Sequence, residues 1–183
     1  MKIFLIGYMG CGKSSLGRKI AKRADMRFVD MDSVIEEREG ASVSDIFHYA
    51  GEEYFREKER ELIEEVTAAE DDVVVSTGGG VPAWRDNMER MNAIGQAVYL
   101  RRTAEQIASR LSPHGRQKRP KLRGLNDEEL VAFMRSNMAE REPCIASAVK
   151  VLSKNRIGRE WLENIAWTTE RLETQADDTE GLL

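Results

Sequence analysis

Short apolar runs alternate along the chain with longer stretches in which apolar positions recur every three or four residues. The runs predict strands over Lys2–Ile6, Phe28–Asp30, Val73–Ser76, Ala97–Leu100 and Val149–Leu152. The longer stretches predict helices over Lys13–Arg23, Ser33–Glu39, Val43–Ala50, Glu52–Ala69, Ala83–Asn92 and Thr103–Leu111. In "EEYFREKERELIEEV", Phe55, Leu62, Ile63 and Val66 fall on one helical face of an otherwise charged segment, so this helix shows a single face to the core. Strands separated by helices of this length imply crossover units and a parallel sheet covered on both sides, an α/β fold.

One stretch breaks the pattern. Residues 112–124, "SPHGRQKRPKLRG", carry five Lys/Arg, two prolines and two glycines with no apolar period. They read as a mobile basic flap over a site, followed by a helix from about Asp127 with Asn126 as its cap. The end, residues 167–183, is polar and acidic and is expected to be partly disordered.

With 183 residues the chain suits one well-packed domain, placed at residues 1–166. A net charge of −4 argues against nucleic-acid binding through bulk positive charge. No apolar run approaches the ~18 residues of a membrane span. The four-residue run near the N-terminus leads straight into a glycine loop and reads as a first strand, not a leader. Cys11 and Cys144 match no metal spacing and are not expected to pair, so a cytoplasmic monomer acting on small molecules is expected.

The chemistry begins at "GYMGCGKSS". Gly7, Gly12, Lys13 and Ser14 fill the fixed places of G-x-x-x-x-G-K-[ST], with a strand before and a helix after. In such a loop, backbone N–H groups turn inward around a phosphate and the helix start adds its positive end. Gly10, Cys11, Gly12, Lys13, Ser14 and Ser15 are therefore the candidate nucleotide contacts, with Lys13 reaching the β- and γ-phosphates and Ser14 ligating Mg²⁺. No N-K-x-D stretch reads guanine, which favours ATP, and the length suits a small-molecule kinase.

The acceptor side is less explicit. Asp30 and Asp32 stand two apart at a strand end, where an extended backbone would turn both carboxylates to one site, although two capping or solvated acids would look the same. Arg56 and Glu59, at i, i+3 on a charged helix, have the ordinary pattern of a surface ion pair. "VVVSTGGGVP" places Ser76, Thr77 and three glycines where phosphate-loop proteins usually keep a metal-binding aspartate.

Taken together, "GYMGCGKSS", "DMD", "GEEYFREKE", "STGGGVP", Arg119–Pro120 and "REP" at Arg141–Pro143 resemble the shikimate kinases in order and spacing, over residues 1 to 166. The resemblance implies a five-stranded parallel sheet of order 2-3-1-4-5 with a mobile lid. It implies transfer of the γ-phosphate of ATP to the 3-hydroxyl of shikimate, in the route to aromatic amino acids. By that similarity Arg56 and Arg141 hold the substrate carboxylate, and Gly78, Gly79 and Gly80 let the backbone approach the substrate. Asp30 takes over the metal role through water, and Asp32 orients or deprotonates the attacking hydroxyl. Arg119 is the lid arginine over the transferring phosphoryl group, and Arg156 is the adenine-side contact, with Arg110 and Arg116 as unaligned candidates. One departure is Ile145, where the family commonly has tyrosine. Competing readings are a related small-molecule kinase, gluconate kinase above all, and a non-catalytic nucleotide-binding module. The latter predicts damage at Lys13, Asp32 or Arg119, and all three are intact.

Overall fold

The computed structural model describes residues 1–117, 122–145 and 150–152. Arg119, Arg156, most of the tryptophan-bearing C-terminal stretch and the acidic tail lie outside the described residues, as do positions 118–121 of the basic flap. Strands β1 (Lys2–Ile6), β2 (Arg27–Asp30), β3 (Val73–Ser76), β4 (Gln96–Leu100) and β5 (Lys150–Leu152) make one parallel sheet in the order β2-β3-β1-β4-β5. Helices α1 (Lys13–Ala24), α2 (Met31–Glu39), α3 (Val43–Tyr49), α4 (Gly51–Ala68), α5 (Asn87–Ile94), α6 (Ala104–Ala108), α7 (Pro113–Gln117) and α8 (Asp127–Ile145) connect and cover it.

Strand pleating divides the core in two. Ile3 and Leu5 of β1 point to one face with Val74, Val98 and Leu100, where Leu16, Ile20, Ile107, Leu130 and Met134 cover them. Phe4 and Ile6 point to the other face with Val73, Val75 and Ala97, under Phe55, Leu62, Ile63 and Val66 of α4. The apolar stripe of α4 is therefore its core face, as its period predicts. Ile145 packs on this second cluster, so an apolar side chain is accommodated where the family pattern has a phenol.

Three stretches depart from the sequence pattern. The helix expected over Ala83–Asn92 is a 3-10 turn at Val81–Ala83 followed by α5. Pro82 sits at the start of that turn, Arg85 takes a left-handed φ of 47°, and Asn87 Nδ2 donates to Val81 O at 3.2 Å across the break. The helix expected over Thr103–Leu111 is only Ala104–Ala108, with Thr103 outside it as cap in a reciprocal pair with Gln106. The basic flap is not uniformly loose: α7 forms within it, and Leu122 is 1% exposed against the first core cluster. Asn126 caps α8 as expected, accepting from Glu129 N at 2.9 Å while Glu129 Oε2 accepts from Asn126 N at 2.9 Å. No helix among the described residues is long and apolar enough to cross a membrane.

Candidate active site

All five strands run the same way, so their carboxyl ends form one edge, and the motif residues gather there. On the nucleotide side, β1 runs into the phosphate loop and α1. Gly10 at φ 78° and Gly12 at φ 102° hold left-handed conformations that a side chain would strain, and these bend the loop around. The first turn of α1 carries no acidic residue, so its positive end is unopposed. Lys13 is buried, and its Nζ donates to Gly7 O at 2.8 Å and Tyr8 O at 3.2 Å. The guanidinium of Arg110 lies beside the loop, 3.8 Å from where a Cβ on Gly12 would sit. Arg116 instead turns to α8, donating to Asp127 Oδ1 at 2.6 Å.

Next to the loop, Ser14 and Ser76 share a hydroxyl hydrogen bond at 3.2 Å, and Asp30 is the register partner of Ser76 on the neighbouring strand. Asp30 is not extended in common with Asp32, however. The strand ends at Asp30, whose carboxylate caps α2 by accepting from Ser33 N at 3.5 Å, and Asp32 lies in the first turn of that helix. The alternation expected of an extended pair is thus replaced by a cap and a first-turn residue, which still lie close enough to interact electrostatically. Asp32 is open to solvent at the cleft yet surrounded by protein. That enclosure raises its pKa, Lys13 and Arg56 oppose the rise, and Asp30 and Glu36 add to it. Among the described residues no three His, Cys, Asp or Glu side chains cluster to cage a metal.

On the acceptor side the surface-pair reading of Arg56 and Glu59 fails. Arg56 is 9% exposed and Glu59 is 0% exposed. Arg56 Nη1 donates to Glu59 Oε2 at 2.6 Å, and Nη2 donates to Glu52 Oε1 at 2.8 Å. Phe47 and Phe55, 5.0 Å apart, each place a ring 5.8 Å from the Arg56 guanidinium carbon. Burial disfavours the arginine's charge, but its two carboxylates outweigh that and raise its pKa.

The three glycines divide their labour. A side chain on Gly78 would collide with Glu59 Oε1, and one on Gly80 would collide with the Arg56 guanidinium. These two positions are bare so that the buried ion pair can seat against β3. Gly79 meets no such obstacle: a Cβ there would be 3.4 Å from Met9 N and 3.7 Å from Arg141 Nη1. Its carbonyl accepts from Arg141 Nη1 at 2.9 Å, which brings α8 to the same edge.

Burial pushes the Glu59 carboxyl up to about 7; the charge of Arg56 opposes this, and the nearby Asp32 and Glu52 carboxylates add to it. The folded state therefore holds this proton more tightly than the unfolded chain does. Its contribution to stability is complete below about pH 4.5 and is lost as pH rises toward 7. Urea unfolding from pH 5 to pH 8 should show stability falling with pH, and Glu59→Gln, which cannot titrate, should flatten that slope. An unchanged slope in the variant would show that Glu59 stays ionised throughout.

The shikimate kinase family model matches residues 9–169. The chain belongs to the shikimate kinase family. It is 46% identical over 147 residues to the shikimate kinase of Parabacteroides distasonis, covering 80% of this chain and 84% of that one. A shikimate kinase structure from Bacteroides thetaiotaomicron superposes with a TM-score of 0.80 at 36% identity, covering 95% of this chain and 98% of that chain. One from Acinetobacter baumannii, in complex with shikimate, gives 0.75 at 28% identity over 96% and 93%. As a shikimate kinase the protein is an ATP-dependent phosphotransferase.

Of the site residues expected from sequence, Gly10 to Ser15, Asp30, Asp32, Arg56, Gly78 to Gly80 and Arg141 all lie at this one edge of the sheet. Sequence reasoning missed two neighbours. Phe47 carries no polar signal, and its place against Arg56 emerges only when α3 packs on α4. Tyr8 reads as one of the variable positions of the phosphate loop, but its ring lies 5.6 Å from the Arg141 guanidinium carbon.

Proposed function

We propose that the protein moves the γ-phosphoryl group of ATP to the 3-hydroxyl of shikimate, giving 3-phosphoshikimate and ADP. The single observation that supports it best is the buried Arg56 held by two carboxylates against bare backbone at Gly80, with a second arginine, Arg141, bound to the adjacent Gly79. An acceptor that is a small carboxylic acid with hydroxyls suits two forked cations and a close backbone wall. The kinase unit is taken as residues 1–166.

Gly10, Cys11, Gly12, Lys13, Ser14 and Ser15 wrap the phosphates, with Lys13 leaving the carbonyls of Gly7 and Tyr8 for phosphate oxygens. Arg110 is the nucleotide-side arginine that its place beside Gly12 favours over Arg116. Arg119 and Arg156 keep the lid and adenine roles that the family resemblance implies. The oxygen donors of Ser14 and Asp30, adjoining Ser76, fit Mg²⁺, a hard cation that usually takes one or two carboxylates and completes its shell with phosphate oxygens and water. When bound, the cation would neutralise charge on the β- and γ-phosphates.

Arg56 and Arg141 orient the acceptor carboxylate. Asp32 takes the proton of the 3-hydroxyl as its oxygen bonds to the γ-phosphorus and the bond from that phosphorus to the β–γ bridging oxygen breaks, leaving ADP. An ADP-release assay over a panel of polyhydroxy acids and nucleosides tests the reading. Turnover with shikimate alone is expected. Phosphorylation of gluconate with none of shikimate overturns it.

A further inference from the structure

Tyr8 is 4% exposed, and its buried hydroxyl has no hydrogen-bond partner among the described residues. Its backbone and its ring each make a contact of their own. The carbonyl accepts from Lys13 Nζ at 3.2 Å and from Cys11 N at 3.2 Å, within the phosphate loop. The ring lies 5.6 Å from Arg141 Cζ, within the range of a cation–π contact. Arg141 in turn donates to Gly79 O, and Gly79 is close to the loop again, with Met9 N at 3.4 Å and Gly7 O at 3.8 Å from its would-be Cβ. Loop, aromatic ring, arginine and glycine turn therefore form a closed circuit between the two substrate sites.

We propose that Tyr8 is a positioning residue whose ring holds Arg141 for the acceptor carboxylate and, because it belongs to the phosphate loop, makes that grip depend on nucleotide. The inference rests on the reading that Arg141 binds the acceptor carboxylate. Without nucleotide, Lys13 is tied to the loop's own carbonyls, Tyr8's among them. Phosphate draws the lysine off the Tyr8 carbonyl, and the backbone that carries the ring is reset with it. An arginine already seated on a fixed ring loses less side-chain freedom when it closes on a carboxylate. Nucleotide and acceptor then bind with positive coupling, and by linkage each tightens the other by the same factor. Were Tyr8 core filler alone, any apolar side chain of similar volume would serve, and stability would change while coupling did not.

Calorimetry of shikimate binding with and without saturating ADP separates these. Tyr8→Leu and Tyr8→Met, two apolar replacements without a π face, should weaken shikimate about 3- to 10-fold in the presence of ADP. They should also bring the ratio of the two affinities toward one while ADP affinity is retained. Tyr8→Phe, which keeps the ring and drops the unpartnered hydroxyl, should restore both. Unchanged coupling in Tyr8→Leu or Tyr8→Met, a parallel loss of ADP affinity, or failure of Tyr8→Phe to restore overturns the proposal. Absence of ADP–shikimate coupling in the unaltered protein does so too, whether or not the variants fold. Arg141→Ala distinguishes the two levels. If it leaves shikimate affinity intact, the carboxylate reading fails; if it weakens shikimate where Tyr8→Leu does not, only the role of Tyr8 fails.

Discussion

Asp32→Asn should lower turnover by about 10²-fold or more, the scale of a positioned acid–base group, while nucleotide and Mg²⁺ still bind. An amide matches a carboxylate in shape but can neither accept the hydroxyl proton nor hold a charge against Lys13. Position makes the residue suited to the role: it stands in the first turn of α2, at the cleft between the phosphate-loop lysine and Arg56, with its pKa already raised by enclosure. Asp30→Asn should behave differently. Asp30 pairs in register with Ser76, whose hydroxyl bonds Ser14, so loss of the Asp30 carboxylate should weaken metal use and be partly rescued by raising Mg²⁺, with shikimate affinity little changed. A Mg²⁺ titration of turnover on both variants decides. Rescue of both alike, or of neither, would show that the two aspartates do not divide metal and acceptor between them.

Arg56→Lys should cost about 10- to 100-fold in shikimate affinity and leave ATP affinity unchanged, because a point charge cannot bind two carboxylate oxygens in one plane. The surroundings are built for a flat group. Glu59 and Glu52 take one nitrogen each, two aromatic rings lie near the guanidinium carbon, and the empty side-chain position of Gly80 leaves room for the fork. Lysine would keep the charge and lose the second contact, and Glu59, fully buried, would have no water to replace a donor it lost. Calorimetry with shikimate and, separately, an ATP analogue measures both. Retained acceptor affinity would make the buried ion pair purely structural.

The strands and the phosphate loop were legible because their signals are local. β1 and β3 end where their apolar runs end, and glycines with a following lysine and serine have few other uses between a strand and a helix. The acceptor half was legible only through resemblance. Arg56 and Glu59 have the same sequence pattern whether exposed or buried, and what buries them is the bare backbone of Gly78 and Gly80, 19 residues beyond Glu59 and 24 beyond Arg56. Asp30 and Asp32 looked equivalent because an alternation of two applies only within a strand, and the helix begins between them. The break at Trp84–Asp86 was hidden by a helical spacing that continues across it, although Pro82 marked the place. Tyr8 was unreadable because its partner is Arg141, and nothing local joins the two.

That separation has a bearing on how the protein comes into being on a ribosome. β1 and its phosphate loop are made first, yet Ser14 waits for Ser76, and Gly79 waits for Arg141, each 62 residues later in synthesis. Because β1 is the middle strand, with β3 on one side and β4 on the other, neither pairing can precede its crossover. A nascent chain that has emerged past β3 but not past α8 therefore holds the parts of a nucleotide site and only half of an acceptor clamp. The acceptor clamp is complete only once α8 has been made, however early the phosphate loop leaves the ribosome.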